Sequence, residues 1–330
     1  MVPVVRTLQA QWPEVKITWI IGKLEHMLLH DLDGVEFIVF DKSQGRQAYG
    51  QLRKDLKGRS FDILLNMQIA LRASIASLFI KAPIKLGYDK ARAKDKQWLF
   101  TNARIAAVER QHVLDGFFEF TKAIGIAERT LEWNIPIPEA AKEFVGTTFH
   151  GDKPVLAINA CSSNRSRNWR NWSAENYAFV ASYAIEKHGM QVVLTGGPAE
   201  LEINMATNIQ AACPQPLINL VGKTKLKEML AVLDRANVMI SPDTGPAHMA
   251  TTVGTPVIGL YATSNPHRTG PYLSIENTVN EYPQALQEEC GLSVAQAKWG
   301  QRVRSDTAML RIQVEDVIAQ LDRLLRADNT

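Results

Sequence analysis

Apolar and polar positions fall along this chain in two kinds of block. Short apolar runs recur at 16–21 (KITWII), 36–40, 62–66, 84–87, 155–159 (VLAIN), 191–195 (QVVLT), 217–221, 238–240 and 256–260 (PVIGL). Runs this short, rich in Val and Ile and bounded by turn residues, predict buried strands. Between them the apolar positions take a helical period. They predict helices at 46–56, 68–80, 112–124, 176–186, from about 200, at 225–234 and at 312–325. Leu71, Ile75, Leu78 and Phe79 share one face of the second, and Val314, Val317, Ile318, Leu321 and Leu324 share one face of the last. Ser173 is placed to cap the helix at 176–186. Alternating strands and helices imply parallel sheets covered by helices on both sides. The opening departs from that rhythm. Residues 1–9 already read as a helix, with Val5 and Leu8 on one face, and Pro13 ends it before the strand at 16–21. An α/β domain usually opens on a strand whose loop belongs to the ligand site, so the first domain is expected to lack its first strand.

The segment 131–138 (LEWNIPIP) reads as an extended, proline-flanked linker. It divides the chain into domains expected at 1–145 and 146–330. A length of 330 residues with 46% hydrophobic and 22% charged residues suits two globular cores. The net charge of +3 is too small to point to nucleic acid. The basic residues cluster, however. Lys81, Lys85, Lys90, Arg92, Lys94, Lys96, Arg104 and Arg110 face only Asp89, Asp95 and Glu109, which is either a solvated loop or a patch for an anionic partner. Cys161, Cys213 and Cys290 have no zinc spacing and suggest a reducing compartment. No secretory signal opens the chain, and no apolar run reaches the ~20 residues of a membrane span. A cytoplasmic protein is expected. His26, His30, His112, His150 and His188 show no ligand spacing, and neither a metal nor a cofactor is expected.

The most informative stretch is 241–250 (SPDTGPAHMA). It follows an apolar strand and precedes small residues that suit a helix. Asp243 or Thr244 can cap that helix, and Pro246 suits its first turn. Gly245 admits a close backbone approach, and His248 lies one turn in. The unpaired N–H groups of a helix start, with the helix dipole behind them, favour a phosphate. Three further polar loops follow strands of the second half: 162–170, 196–202 and 263–268. In a parallel sheet all four meet at the carboxyl edge, where ligands bind. Hydroxyls and Arg suit a diphosphate, and Glu200 or Glu202 suits ribose hydroxyls. Neither G-x-G-x-x-G nor G-x-x-x-x-G-K-[ST] occurs in these loops, which argues against a nicotinamide oxidoreductase and a P-loop NTPase.

These residues resemble glycosyltransferase family 9, the ADP-heptose:lipopolysaccharide heptosyltransferases. Asp243-Thr244-Gly245-Pro246-Ala247-His248 is similar to the family's D-[TS]-G-x-x-H segment. Gly196-Gly197-Pro198-Ala199-Glu200 is similar to its second donor loop. Ser162 and Ser163 stand where the family sets hydroxyls against donor phosphates, and Arg170-Asn171-Trp172 stands near its Lys-x-Trp. Residues 61–68 look like the segment before the acceptor-side helix. The resemblance implies a GT-B fold, with two Rossmann-like domains whose parallel sheets face each other across a cleft. The first would bind the acceptor and the second the nucleotide sugar. It implies an inverting, metal-independent transfer of heptose from ADP-heptose to the lipopolysaccharide or lipid A-core acceptor, with peripheral contact at the inner face of the membrane. Lys94 and Lys96 would then meet anionic groups of the acceptor. The family's base is an Asp in a Gly-Asp loop after the first strand, which would lie upstream of Met1. Asp243 is the remaining polar candidate, although ordering the phosphate loop suits it better. A non-catalytic sugar-nucleotide-binding protein and a sugar-nucleotide epimerase on a similar scaffold are the rival readings.

Overall fold

A computed structural model describes residues 1–162 and 168–327. The chain forms two compact units, Met1–Pro136 and Ile137–Thr330.

The first unit opens on helix α1 (Val2–Gln11), with Pro3 in the first turn and Val2, Val4, Val5 and Leu8 buried. Then follow β1 (Ile17–Gly22), α2 (Lys23–Leu29), β2 (Val35–Phe40), α3 (Arg46–Asp55), β3 (Ile63–Leu65), α4 (Leu71–Ala76), β4 (Ile84–Gly87), β5 (Ala103–Arg104) and α5 (Val113–Ala123). Helix α1 packs on α5. The predicted helix at 68–80 starts only at Leu71, for a reason outside its own sequence. The buried Gln97 side chain donates to the carbonyls of Asn66 (3.0 Å) and Gln68 (2.8 Å) and accepts from the Tyr88 N–H (3.1 Å). Those backbone groups are thus satisfied without a helix. The basic stretch is a folded loop. Arg92 ties Asp89, the Gln111 side chain and the Ala106 carbonyl together, while Lys90, Lys94 and Lys96 stay exposed.

The strands of this unit do not join into one sheet. β1 pairs in parallel with β2, and β3, β4 and β5 form a separate parallel set. Ile20 of β1 and Leu64 of β3 nevertheless pack on one cluster, formed by Ile38, Leu52, Leu56, Ala76 and Ile80. β1 is half-buried along most of its length, unlike an interior parallel strand, which is covered on both faces.

The second unit opens on α6 (Glu139–Thr148), formed by residues whose composition reads as a polar continuation of the linker. There follow β6 (Val155–Asn159), α7 (Ala174–His188), β7 (Gln191–Thr195), α8 (Glu200–Ala212), β8 (Ile218–Asn219), α9 (Leu226–Arg235), β9 (Val238–Pro242), α10 (Gly245–Thr252), β10 (Val257–Tyr261), α11 (Pro266–Thr269), β11 (Val279–Asn280), α12 (Tyr282–Cys290) and α13 (Val314–Ala327). Helix α6 packs on α9, which ties it to this unit. One parallel sheet holds all six strands in the order β11-β10-β9-β6-β7-β8. β6, β9 and β10 are buried at every position, as central parallel strands require. Helix α7 has the predicted cap, the Asn176 N–H donating to Ser173 Oγ at 3.1 Å, and stops at Gly189 in the left-handed region at φ 64°. Because β10, β9, β6 and β7 are neighbours running one way, the four polar loops leave the same edge of the sheet.

Candidate functional site

The loop after β9 is built as its sequence suggests. Thr244, not Asp243, is the N-cap of α10. Its hydroxyl accepts from the Ala247 N–H at 3.3 Å and lies 2.7 Å from Ser241 Oγ. Pro246 occupies the first turn. Ala247 and Ala250 face the core, whereas Gly245 and His248 are exposed. A Cβ on Gly245 would meet nothing within 4 Å. No internal packing therefore demands glycine there, and the α10 N-terminus is left open to solvent.

Asp243 turns away from the helix and gathers other loops. Its carboxylate, 10% exposed, accepts from Ser264 Oγ at 3.0 Å and lies 3.4 Å from the Arg170 guanidinium. The same Arg170 nitrogen donates to the Asp243 backbone carbonyl at 2.7 Å. A second guanidinium, from Arg302, stands 3.9 Å from the carboxylate. An anchor between the loops after β6, β9 and β10 is the geometry observed, and it does not suit a free base.

After β6, Ser162 and Arg170 are described, whereas Ser163 lies outside the described residues. Two asparagines to which the sequence motifs assign no role shape this loop. Asn168 Oδ1 accepts from Ser162 Oγ (2.6 Å) and the Arg170 N–H (3.1 Å), and Asn171 Oδ1 accepts from the Ser162 N–H (3.1 Å). The Ser162 hydroxyl thus donates to Asn168. Asn-x-x-Asn flanking Arg170 is the sequence signal for this staple. Trp172 goes into the core, while Trp169 lies under the Arg304 guanidinium at 6.0 Å from its ring centroid.

After β7 the two acidic candidates separate. Glu202 folds back and accepts from the Gly197 N–H at 2.6 Å. A Cβ at Gly196 would come within 2.8 Å of that carboxylate, and one at Gly197 within 3.0 Å. The Glu202 carboxylate thus lies close against both glycines, and its bond to Gly197 holds the loop. Glu200 is exposed in the first turn of α8. Beneath this loop the Cys161 thiol is pushed up to about 12, by burial first and by the Glu202 charge second. At pH 8 such a thiol is about 10⁻⁴ ionised. A chromogenic disulfide reagent at pH 8 is expected to modify the exposed Cys290 rapidly and to leave Cys161 unmodified in the folded protein. Fast labelling of Cys161, mapped by mass spectrometry, would contradict its burial.

Among the described residues no group of His, Cys, Asp and Glu is arranged to hold a metal ion. The local charge at this edge comes from arginines and a helix start.

A sequence model described as "Glycosyltransferase family 9 (heptosyltransferase)" matches residues 49–293. The chain belongs to that family. As a family 9 glycosyltransferase it is 40% identical over 321 residues to the lipopolysaccharide core heptosyltransferase OpsX of Haemophilus influenzae, covering 97% of this chain and 91% of that protein. The glycosyl transferase family 9 structure from Veillonella parvula superposes with a TM-score of 0.78 at 22% identity, over 99% of this chain and 93% of that one. The E. coli heptosyltransferase WaaC with ADP gives 0.73 at 16% identity, over 98% and 94%. These likenesses give the family 9 chain the GT-B fold, with parallel sheets in each α/β unit. The family match takes in the loops after β6, β7, β9 and β10 and stops before Arg302.

Proposed function

We propose that this glycosyltransferase transfers a heptose from ADP-heptose to the inner core of lipopolysaccharide, with inversion and without a metal ion. The observation that carries the donor half is the meeting of Arg170, Asp243 and the open N-terminus of α10 at the end of β9. Phosphoryl oxygens would meet the exposed backbone at Gly245, in the field of the α10 dipole, and the cation beside it, and that charge would stabilise the diphosphate as it leaves. Thr244 and Asp243 shape the loop, Gly245 admits the phosphates, and His248 adds a donor one turn on. Gly196, Gly197 and Glu200 would bound the nucleoside side, with Glu202 as the strut behind them. The acceptor half rests on the name of the H. influenzae relative and on the exposed Lys90, Lys94 and Lys96 of the first unit. Catalysis further needs a general base for the acceptor hydroxyl. Asp243 is occupied by its arginines and does not serve. Action at the cytoplasmic face of the inner membrane, as a peripheral protein, fits a lipid-linked acceptor. Among the described residues no helix is long and apolar enough to cross a membrane.

The test is calorimetric titration with ADP, GDP and UDP, followed by a transfer assay with ADP-heptose and heptose-free lipopolysaccharide. The expected result is preference for ADP and a mass gain of one heptose on the acceptor. Absence of binding to all three nucleotides would overturn the donor-site reading. ADP binding without transfer would favour the rival reading of a sugar-nucleotide-binding protein.

A further inference from the structure

Arg302 belongs to a stretch that has no hydrophobic period, lies 59 positions after Asp243 in sequence, and falls beyond the family match at residue 293. Nothing in its sequence marks it. The structure nevertheless fixes it firmly at the edge of the sheet where the four loops gather. On one side the Gln301 carbonyl accepts from the buried Tyr282 hydroxyl at 2.9 Å. On the other the Val303 N–H donates to the Thr263 carbonyl at 3.0 Å, and Val303 is 1% exposed. Both neighbours of Arg302 are therefore pinned through groups other than its own side chain. The strap they form also touches the loops on either side. A Cβ on Gly300 would lie 3.4 Å from the Arg268 guanidinium, and Arg304 covers Trp169.

The side chain held in this way is not used up by what it faces. Its guanidinium is 3.9 Å from the Asp243 carboxylate, close enough to feel the charge but too far for a hydrogen bond, and the side chain is 46% exposed. Arg170, by contrast, is hydrogen-bonded to Asp243 and 17% exposed. Two guanidinium groups thus share one carboxylate, which leaves one positive charge in surplus where the loops after β6, β9 and β10 meet. A guanidinium presents five N–H donors in a fixed fork suited to phosphoryl oxygens. Holding it at the edge of a carboxylate, without spending its donors there, keeps it oriented until an anion arrives.

We infer that Arg302 is a second diphosphate-binding cation of the donor site, supplied by the strap at 299–306 and aimed by Asp243. The inference rests on the donor-site reading given above. Arg170 is then the first cation, tied to the loop through Asp243, and Arg302 adds donors that the protein does not spend. Asp243 serves both, since it fixes one arginine and steers the other.

The experiment is calorimetric titration of the wild type, Arg302→Ala and Arg302→Lys with ADP and with adenosine. A charge-assisted contact to phosphate predicts that Arg302→Ala binds ADP about 10- to 100-fold more weakly and binds adenosine as the wild type does. Arg302→Lys should recover part of the ADP affinity, because the strap is pinned by its backbone and the charge returns without the planar fork. Equal affinity of wild type and Arg302→Ala for ADP would overturn the inference while leaving the donor site standing. So would a parallel loss for ADP and adenosine that lysine does not repair, since that marks a loop defect. A wild type that binds no ADP would overturn the donor-site reading, and this inference with it.

Discussion

Replacing Arg170 with alanine is expected to lower kcat/KM for sugar transfer by about 10²- to 10³-fold while the protein stays folded. Two effects add. A cation in the loop between β6 and α7 is lost from beside the helix start that would hold the diphosphate. The Asp243 carboxylate also loses its closest counter-charge, so a negative group faces the incoming phosphates. The Asp243 backbone carbonyl is left without its 2.7 Å donor, which loosens the loop before α10. Arg170→Lys should fall between wild type and alanine. An ammonium restores the charge but has no planar fork with which to serve a carbonyl and a carboxylate together. Steady-state kinetics with ADP-heptose, alongside thermal melting, checks this. Alanine and lysine variants with wild-type kinetics would remove Arg170 from the donor site.

How far the sequence foretells this site can be read from individual residues. Thr244, Pro246 and the small face of α10 obey local capping chemistry, so the helix start is legible from its own letters. The four loops at one edge follow from strand alternation alone, because a parallel sheet sends every such loop the same way. What escapes is contact at long range. Gln97 decides where α4 begins from 26 positions after Leu71, and no window around 68–80 contains it. In sequence Glu202 is a ribose acceptor equal to Glu200. Its fold-back onto Gly197 emerges only once the turn after β7 is in place. Arg302 sits in irregular chain, where periodicity has nothing to detect. The helices α2, α6 and α12 escape for a different reason. Each is short and mixed in polarity, and takes its stability from what it packs on. In the first unit the strands form two separate parallel sets, and strand alternation alone does not foretell that division.

The largest effect on stability is expected at Trp172, two residues beyond Arg170. Its 2% exposure places it in the core. Its indole N–H donates to the Ile312 carbonyl at 3.1 Å, and its ring meets Tyr177 edge-on at 5.2 Å. Trp172→Ala should therefore cost about 3–5 kcal/mol, from lost burial and the cavity left behind. Trp172→Phe keeps most of the apolar area and forfeits mainly the hydrogen bond, which strands a buried carbonyl. A loss of about 1–3 kcal/mol is expected for it. Urea unfolding followed by far-UV circular dichroism would rank the variants. Wild-type stability in Trp172→Ala would refute the core assignment. The variant should also lose transfer activity at temperatures where it remains folded, for a mechanical reason. Trp172 pins the far end of the loop whose near end is stapled by Asn168 and Asn171, and Arg170 rides between the two. A charge can be aimed at a phosphate from a loop only if that loop is fastened on both sides. In this chain the second fastening is an indole reaching 140 positions along the sequence to Ile312.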